Sequence, residues 1–153
     1  MTGRYVSFLL GTGHYCVAVE EVLQIVRTEG ILKVPTAPSF VTGVINLRGD
    51  VVPVVSLRRR LGISRAPEPS GHTESRARII VVSVGGRSCG LAVDDVTEIV
   101  ELEESAQEEE TALPSAPERF VRDATHRDGS VFFILDTQRV ASAGRDRSVA
   151  SPI

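Results

Sequence analysis

His14 and Cys16 lie two residues apart in an alternating apolar run, so a strand there puts imidazole and thiol on one face. A base beside a thiol is how a cysteine nucleophile is activated, yet no third group stands near in sequence to orient the imidazole. A cysteine inside a strand more often serves as a small buried apolar side chain, and Cys89 occupies the same kind of run. Adjacent carboxylates occur twice, at Glu20-Glu21 and Asp94-Asp95. A proton-shuttling pair must converge on one point, whereas neighbouring strand residues point to opposite faces, so both pairs read as polar corners. His14, His72 and His126 have no ligand-spaced partners for a metal. Gly11-Thr-Gly13 lacks the further glycine and following helix of a dinucleotide fingerprint, and no serine nucleophile elbow is present. The expected set of catalytic residues, metals and cofactors is therefore empty, which turns attention to binding.

Arginines are the remaining reactive surface. Arg48 falls in the polar break Arg48-Gly49-Asp50 between two β-branched runs, Val44 to Leu47 and Val51 to Val55. The break reads as a tight turn, with Gly49 supplying the positive φ. On spacing alone Arg48 is either a solvated turn residue or an anchor for another protein, since arginine is enriched among interface hot spots. Arg58, Arg59 and Arg60 follow on a short helix, Ser56 to Leu61, that stops at Gly62, and they read as a solvated face.

The elements that must position these residues form a pattern written twice. Val6, Phe8 and Leu10 define one face of a half-buried strand; Tyr15 to Val19 returns, and Val22 to Val26 is a third strand. Val34-Pro-Thr-Ala-Pro38 forces an extended connection to the two strands around Arg48. After a polar stretch, Ser64 to Ser75, the pattern returns with a spacing of 74 residues: Arg4 matches Arg78, Val22 matches Val96, and Ile25 matches Ile99. The spacing widens to 80 by Gly49 and Gly129, the extra residues falling in an acidic run, Glu101 to Glu110, read as an exposed loop. Five short strands per repeat that must hide their edges favour a small closed barrel. The fold class expected is all-β with one or two short helices: two tandem five-stranded barrels with a groove between them. Subdomain 1 should span about 14–76, with strand exchange possible, and subdomain 2 about 77–140; residues 141–153 should form a flexible tail.

At 153 residues the chain is long enough to bury its own core without staples. Aromatics are only 5% with no tryptophan, and the formal net charge is −3, which argues against nucleic acid as the main partner. No apolar run approaches membrane-spanning length, and a cytoplasmic protein without direct membrane insertion is expected.

Gly43-Val-Ile-Asn-Leu-Arg-Gly-Asp-Val-Val-Pro-Val-Val-Ser-Leu57 resembles the signature of the CheW family of bacterial chemotaxis coupling proteins. Tyr15-Cys-Val-Ala-Val-Glu-Glu-Val-Leu-Gln-Ile25 and Cys89-Gly-Leu-Ala-Val-Asp-Asp-Val-Thr-Glu-Ile99 resemble its strand–corner–strand segments. The similarity runs from about Arg4 to Val140. It implies two SH3-like barrels around a shared hydrophobic interface. It further implies a non-enzymatic adaptor joining the cytoplasmic hairpin tip of methyl-accepting chemoreceptors to the regulatory domain of a CheA-type histidine kinase. Carried over residue by residue, the receptor face falls on Val22, Gln24, Ile25, Gly43, Asn46, Arg48 and Gly49. The kinase face falls on Ile31, Lys33 and Phe120, with Phe120 alternatively a core residue. Gln24 stands where many members carry glutamate, and the acidic run is unusually rich; both would retune partner choice. The resemblance also admits a coupling protein of a related pathway controlling pili, gliding or gene expression. Readings from other classes are a small enzyme using Cys16 and His14, sensitive to thiol alkylation, and an RNA-binding barrel using Arg58 to Arg60, retained on RNA at low salt.

Overall fold

Runs of β-branched residues broken by glycine turns give ten strands among the residues described by the computed structural model, which are 2–35, 37–63, 76–103 and 120–145. The first repeat supplies β1 (Thr2–Leu10), β2 (Gly13–Ala18), β3 (Val22–Arg27), β4 (Val41–Leu47), β5 (Asp50–Ser56) and helix α1 (Leu57–Leu61). The second supplies β6 (Arg78–Val84), β7 (Arg87–Val93), β8 (Asp95–Glu103), β9 (Val121–Arg127), β10 (Ser130–Leu135) and helix α2 (Thr137–Arg145). Val19–Glu21 is a single 3-10 turn, the polar corner expected there.

The strands form two five-stranded sheets, ordered β8-β1-β2-β10-β9 and β3-β6-β7-β5-β4. The expected division at about 76/77 is corrected by this order. Each sheet joins the opening hairpin of one repeat to the last three strands of the other, so exchange is the rule and neither subdomain is a continuous segment. The duplication holds to the level of register. Tyr5 pairs with Ala18 as Ile79 pairs with Ala92, and Val6 pairs with Ile99 as Ile80 pairs with Ile25. Even the bulge recurs, skipping Thr97 in β8 and Leu23 in β3.

Alternation then sorts the core into three parts. Val6, Phe8 and Leu10 from β1 meet Ile80, Val82 and Val84 from β6 in the largest cluster, which draws on both sheets. The opposite faces of the same strands fill two separate interiors: Tyr5 with Val100, Phe132 and Ile134, and Ile79 and Val81 with Ile45, Val52 and Val54. β1 and β6 are thus buried on both faces, where the sequence pattern predicts a half-buried β1; even Ser7 is fully enclosed, its hydroxyl donating to the Glu98 carbonyl. An interface this apolar welds the two barrels into one body.

Three other expectations change. Arg58 and Arg60 are not a solvated face: Arg58 binds both carboxylate oxygens of Asp94, at 3.0 and 2.7 Å, and the same carboxylate accepts the Gly11 N–H at 2.7 Å. Arg60 lies over the rings of Phe40 and Phe120, 4.5 and 4.4 Å from their centres. The Asp94-Asp95 corner is therefore structural, tying α1 to the β1–β2 turn. Second, the chain beyond Ala141 is not a tail from its start, because α2 continues to Arg145 with Val140 and Ala141 buried. Asp136 caps that helix as Ser56 caps α1, at the same position of the repeat. Third, Glu101–Glu103 belong to β8 and are not part of a loop. Ser64 to Ser75, and the acidic run beyond Glu103, lie outside the described residues.

Candidate functional site

The β4–β5 hairpin closes through two residues, Arg48 and Gly49, between the paired Leu47 and Asp50. Both have positive φ, 54° at Arg48 and 90° at Gly49, the geometry of a two-residue hairpin loop. Asn46 supports the turn by accepting the Gly49 N–H at 3.0 Å. Arginine gains nothing from a left-handed backbone, which disfavours any side chain with a Cβ and no local polar group. The matching turn of the second repeat holds Asp128 at the same φ of 54°, a residue type that tolerates it. Arg48 is thus an exposed cation on a two-residue tip, in a backbone conformation unfavourable for its type.

The other residues expected on this face are divided by the fold. Ile25 is 41% exposed on the outer edge of β3, while Val22 and Gln24 are half-buried. Asn46 and Gly49 are exposed with Arg48. The β3 and β4 edges approach each other around a hollow of about 440 Å³ lined by Val26, Arg27, Glu29, Gly30, Ile45, Asn46 and Leu47. A second cleft, about 400 Å³, runs between Ile25, Arg76 and Arg78 on one side and Asp95 and Val96 on the other. Gly43 is corrected: it is buried and presents nothing outward. A Cβ there would strike the Leu32 carbonyl oxygen and come within 2.9 Å of the Ile31 side chain. Its role is to let the Gly30–Val34 segment lie against β4, where Leu32 and Val44 exchange N–H···O bonds of 2.8 Å each.

That segment carries the other expected face. Lys33 is exposed, but Ile31 turns inward to pack on the Ile45 and Val52 cluster. The apolar groups presented outward are Leu32 and Val34, 66% and 37% exposed, which the sequence reading passed over. Leu23, 57% exposed at the β3 bulge, was passed over too. Burial alternates strictly along β3, so Leu23 shares the exposed face of Ile25 and Arg27. Of the two places expected for Phe120, the structure gives the core and not the kinase face: it is 2% exposed within the shared core. It matches Phe40 at a spacing of 80, and its carbonyl holds the Asp136 N–H as that of Phe40 holds the Ser56 N–H.

Cys16 is no nucleophile. Its thiol is enclosed beside Phe132 and Ile134, and burial pushes it up to about 12 despite the opposing pull of Arg122. His14 packs against the Phe132 ring at 4.9 Å between centres, the two planes tilted by 40°. Between the usual value of 9.0 and about 12 the unfolded chain releases a proton that the folded chain keeps. The contribution to stability is therefore full below pH 9 and falls by about 1.4 kcal/mol per unit above it. Urea midpoints measured from pH 8 to 10.5 should drop more steeply for the native protein than for Cys16→Ala; parallel curves would show the thiol to be solvated.

Among the described residues, the His14–Cys16 pair of this double barrel holds no activated nucleophile. A family model described as the CheW-like domain matches residues 4–145. The chain belongs to this family. A chemotaxis protein CheW of Helicobacter pylori is 31% identical over 102 residues, covering 67% of this chain and 59% of that protein. A CheW of Rhizobium meliloti is 33% identical over 136 residues, covering 88% and 84%. Among solved structures, the scaffolding protein TtCheW from Thermoanaerobacter tengcongensis superposes with a TM-score of 0.79 at 29% identity, covering 92% of this chain and 88% of that one. The CheW-like fold of two five-stranded barrels is thus shared along nearly the whole chain, and its Asn46-Leu-Arg-Gly49 motif is the exposed turn described above.

Proposed function

We propose that this chain is a non-enzymatic scaffold coupling methyl-accepting chemoreceptors to a CheA-type histidine kinase in chemotaxis signalling, on the cytoplasmic side. The observation that carries the reading is Arg48, held exposed at a φ of 54° on a two-residue tip within a chain that the CheW-like model covers from 4 to 145. Arg48, Ile25 and Asn46 face the receptor hairpin, with Leu23 adding apolar area; an amphipathic helical tip needs such apolar ground with a few polar fixtures. The kinase regulatory domain meets Leu32, Lys33 and Val34, where Ile31 anchors the segment from beneath. Because the segment covers the outer edge of β4, the kinase meets the segment's own outward side chains and not that edge. Among the described residues no helix is long and apolar enough to cross a membrane.

The test is reconstitution. Clustered receptor fragments are expected to pellet the kinase only when this protein is present, and kinase activity should then follow receptor ligand state. Failure to retain either partner, or turnover of a small molecule by the purified chain, would overturn the scaffold reading.

A further inference from the structure

Helices α1 and α2 stand at the same place in the two repeats, 80 residues apart, yet they carry different chemistry. Arg58 and Arg60 of α1 occupy the positions that α2 gives to Gln138 and Val140. Val140 is fully enclosed in the shared core, so an apolar side chain fills that position well. A guanidinium there gives up hydration that valine never had. Such a departure of one repeat from its twin points to a role other than packing.

The contacts of α1 show what the arginines reach. Arg58 holds both carboxylate oxygens of Asp94, and the Asp94 N–H donates to the Leu9 carbonyl at 3.1 Å. Asp94 immediately precedes Asp95 and Val96, which wall the cleft beside Ile25. Arg59 donates to the Ser39 carbonyl at 2.8 Å, the Ser56 N–H donates to the Phe40 carbonyl at 2.7 Å, and the Arg60 guanidinium covers the Phe40 ring. Ser39 and Phe40 end the connection that carries Leu32, Lys33 and Val34. Two turns brace that connection: the Ala37 N–H donates to the Val34 carbonyl, and the Val41 N–H to the Pro38 carbonyl. One short helix is thus bonded to the cleft wall and to the base of the outward apolar segment.

We infer that α1 is a relay between the two faces, with Arg58 and Arg60 as its positioning residues. The inference rests on the receptor and kinase faces proposed above; it adds how the state of one reaches the other. A bidentate ion pair fixes direction as well as distance, so a shift of Asp94 when a receptor closes on Ile25 carries α1 with it. The planar guanidinium of Arg60, stacked on Phe40 and Phe120, passes that shift to the entrances of β4 and β9. Coupling needs directional contacts along its whole path, and the glutamine and valine of α2 supply no such direction.

The test gives α1 the residues of its twin, Arg58→Gln with Arg60→Val, and assays the variant with receptors in membrane vesicles and the kinase, with and without receptor ligand. Each partner alone should bind as it binds the unmodified protein, while the ratio of kinase activities without and with ligand should shrink by at least about fivefold. Arg60→Lys keeps a cation over the rings but loses the planar stack, and should fall between the two. Urea midpoints report whether each variant is folded; if the double variant is not, Arg60→Val alone decides by the same ratio. A full ligand response in the variant overturns the relay and leaves both faces in place. Loss of either partner's own affinity overturns it too, because the arginines would then only shape that face. If the unmodified protein gives no ligand response, the coupling function itself fails and the relay falls with it.

Discussion

Arg48→Gly should make the protein more stable and worse at its task. A left-handed residue with a Cβ costs about 1–2 kcal/mol, and glycine removes that cost while giving back part of it as unfolded-state entropy. A net gain of about 0.5–1 kcal/mol in urea unfolding is expected, because the φ of 54° at Arg48 is set by the two-residue loop and persists in the variant. Receptor binding should fall by about 2 kcal/mol or more, roughly thirtyfold, if the guanidinium is a hot spot. Kinase binding should be kept. The two readouts move in opposite directions, so general damage cannot imitate the result. Arg48→Ala supplies the control, losing binding without the backbone relief. A glycine variant that binds receptor fragments as tightly as the native protein would return Arg48 to the status of a solvated turn residue.

The strands, the duplication and the turn around Arg48 were all legible because each rests on local pattern: alternation, β-branching, and glycine where φ is positive. What pairs with what was not. A repeat that folds on itself and a repeat that exchanges its hairpin with its twin bury the same faces, since Val6 meets Ile99 by the same spacing that would let it meet Ile25. Only three-dimensional closure distinguishes them. The same ambiguity hid the burial of Ser7, whose polar character reads as outward until the second barrel interior is known. Arg58 and Arg60 misled for a related reason. Their partners, Asp94 and the rings of Phe40 and Phe120, lie far away in sequence, so a run of cations on a short helix looked solvated. Gly43 fell in the signature and was placed on the receptor face with its neighbours, although its missing side chain serves the segment behind it.

That last correction yields the sharper test of how the two faces are kept apart. In Gly43→Ala the new methyl group would meet the Leu32 carbonyl oxygen, which is backbone and cannot rotate away. Relief comes by lifting the Gly30–Val34 segment off β4. This breaks the two hydrogen bonds between Leu32 and Val44 and draws Ile31 from its packing on Ile45 and Val52. Two backbone bonds at about 1 kcal/mol each and a half-buried isoleucine worth about 1 kcal/mol more put the loss near 3 kcal/mol. The shared core between the sheets is not touched by this segment, so the domain should remain folded with the segment detached. Hydrogen exchange at the Leu32 and Val44 amides is expected to accelerate while β1 and β6 stay protected. Kinase binding should drop at least about tenfold, since Leu32, Lys33 and Val34 lose their platform, and receptor binding through Arg48 should largely survive. The reverse outcome, receptor binding lost and kinase binding kept, would put Gly43 back on the receptor face and leave the kinase contact without the support that this packing gives it.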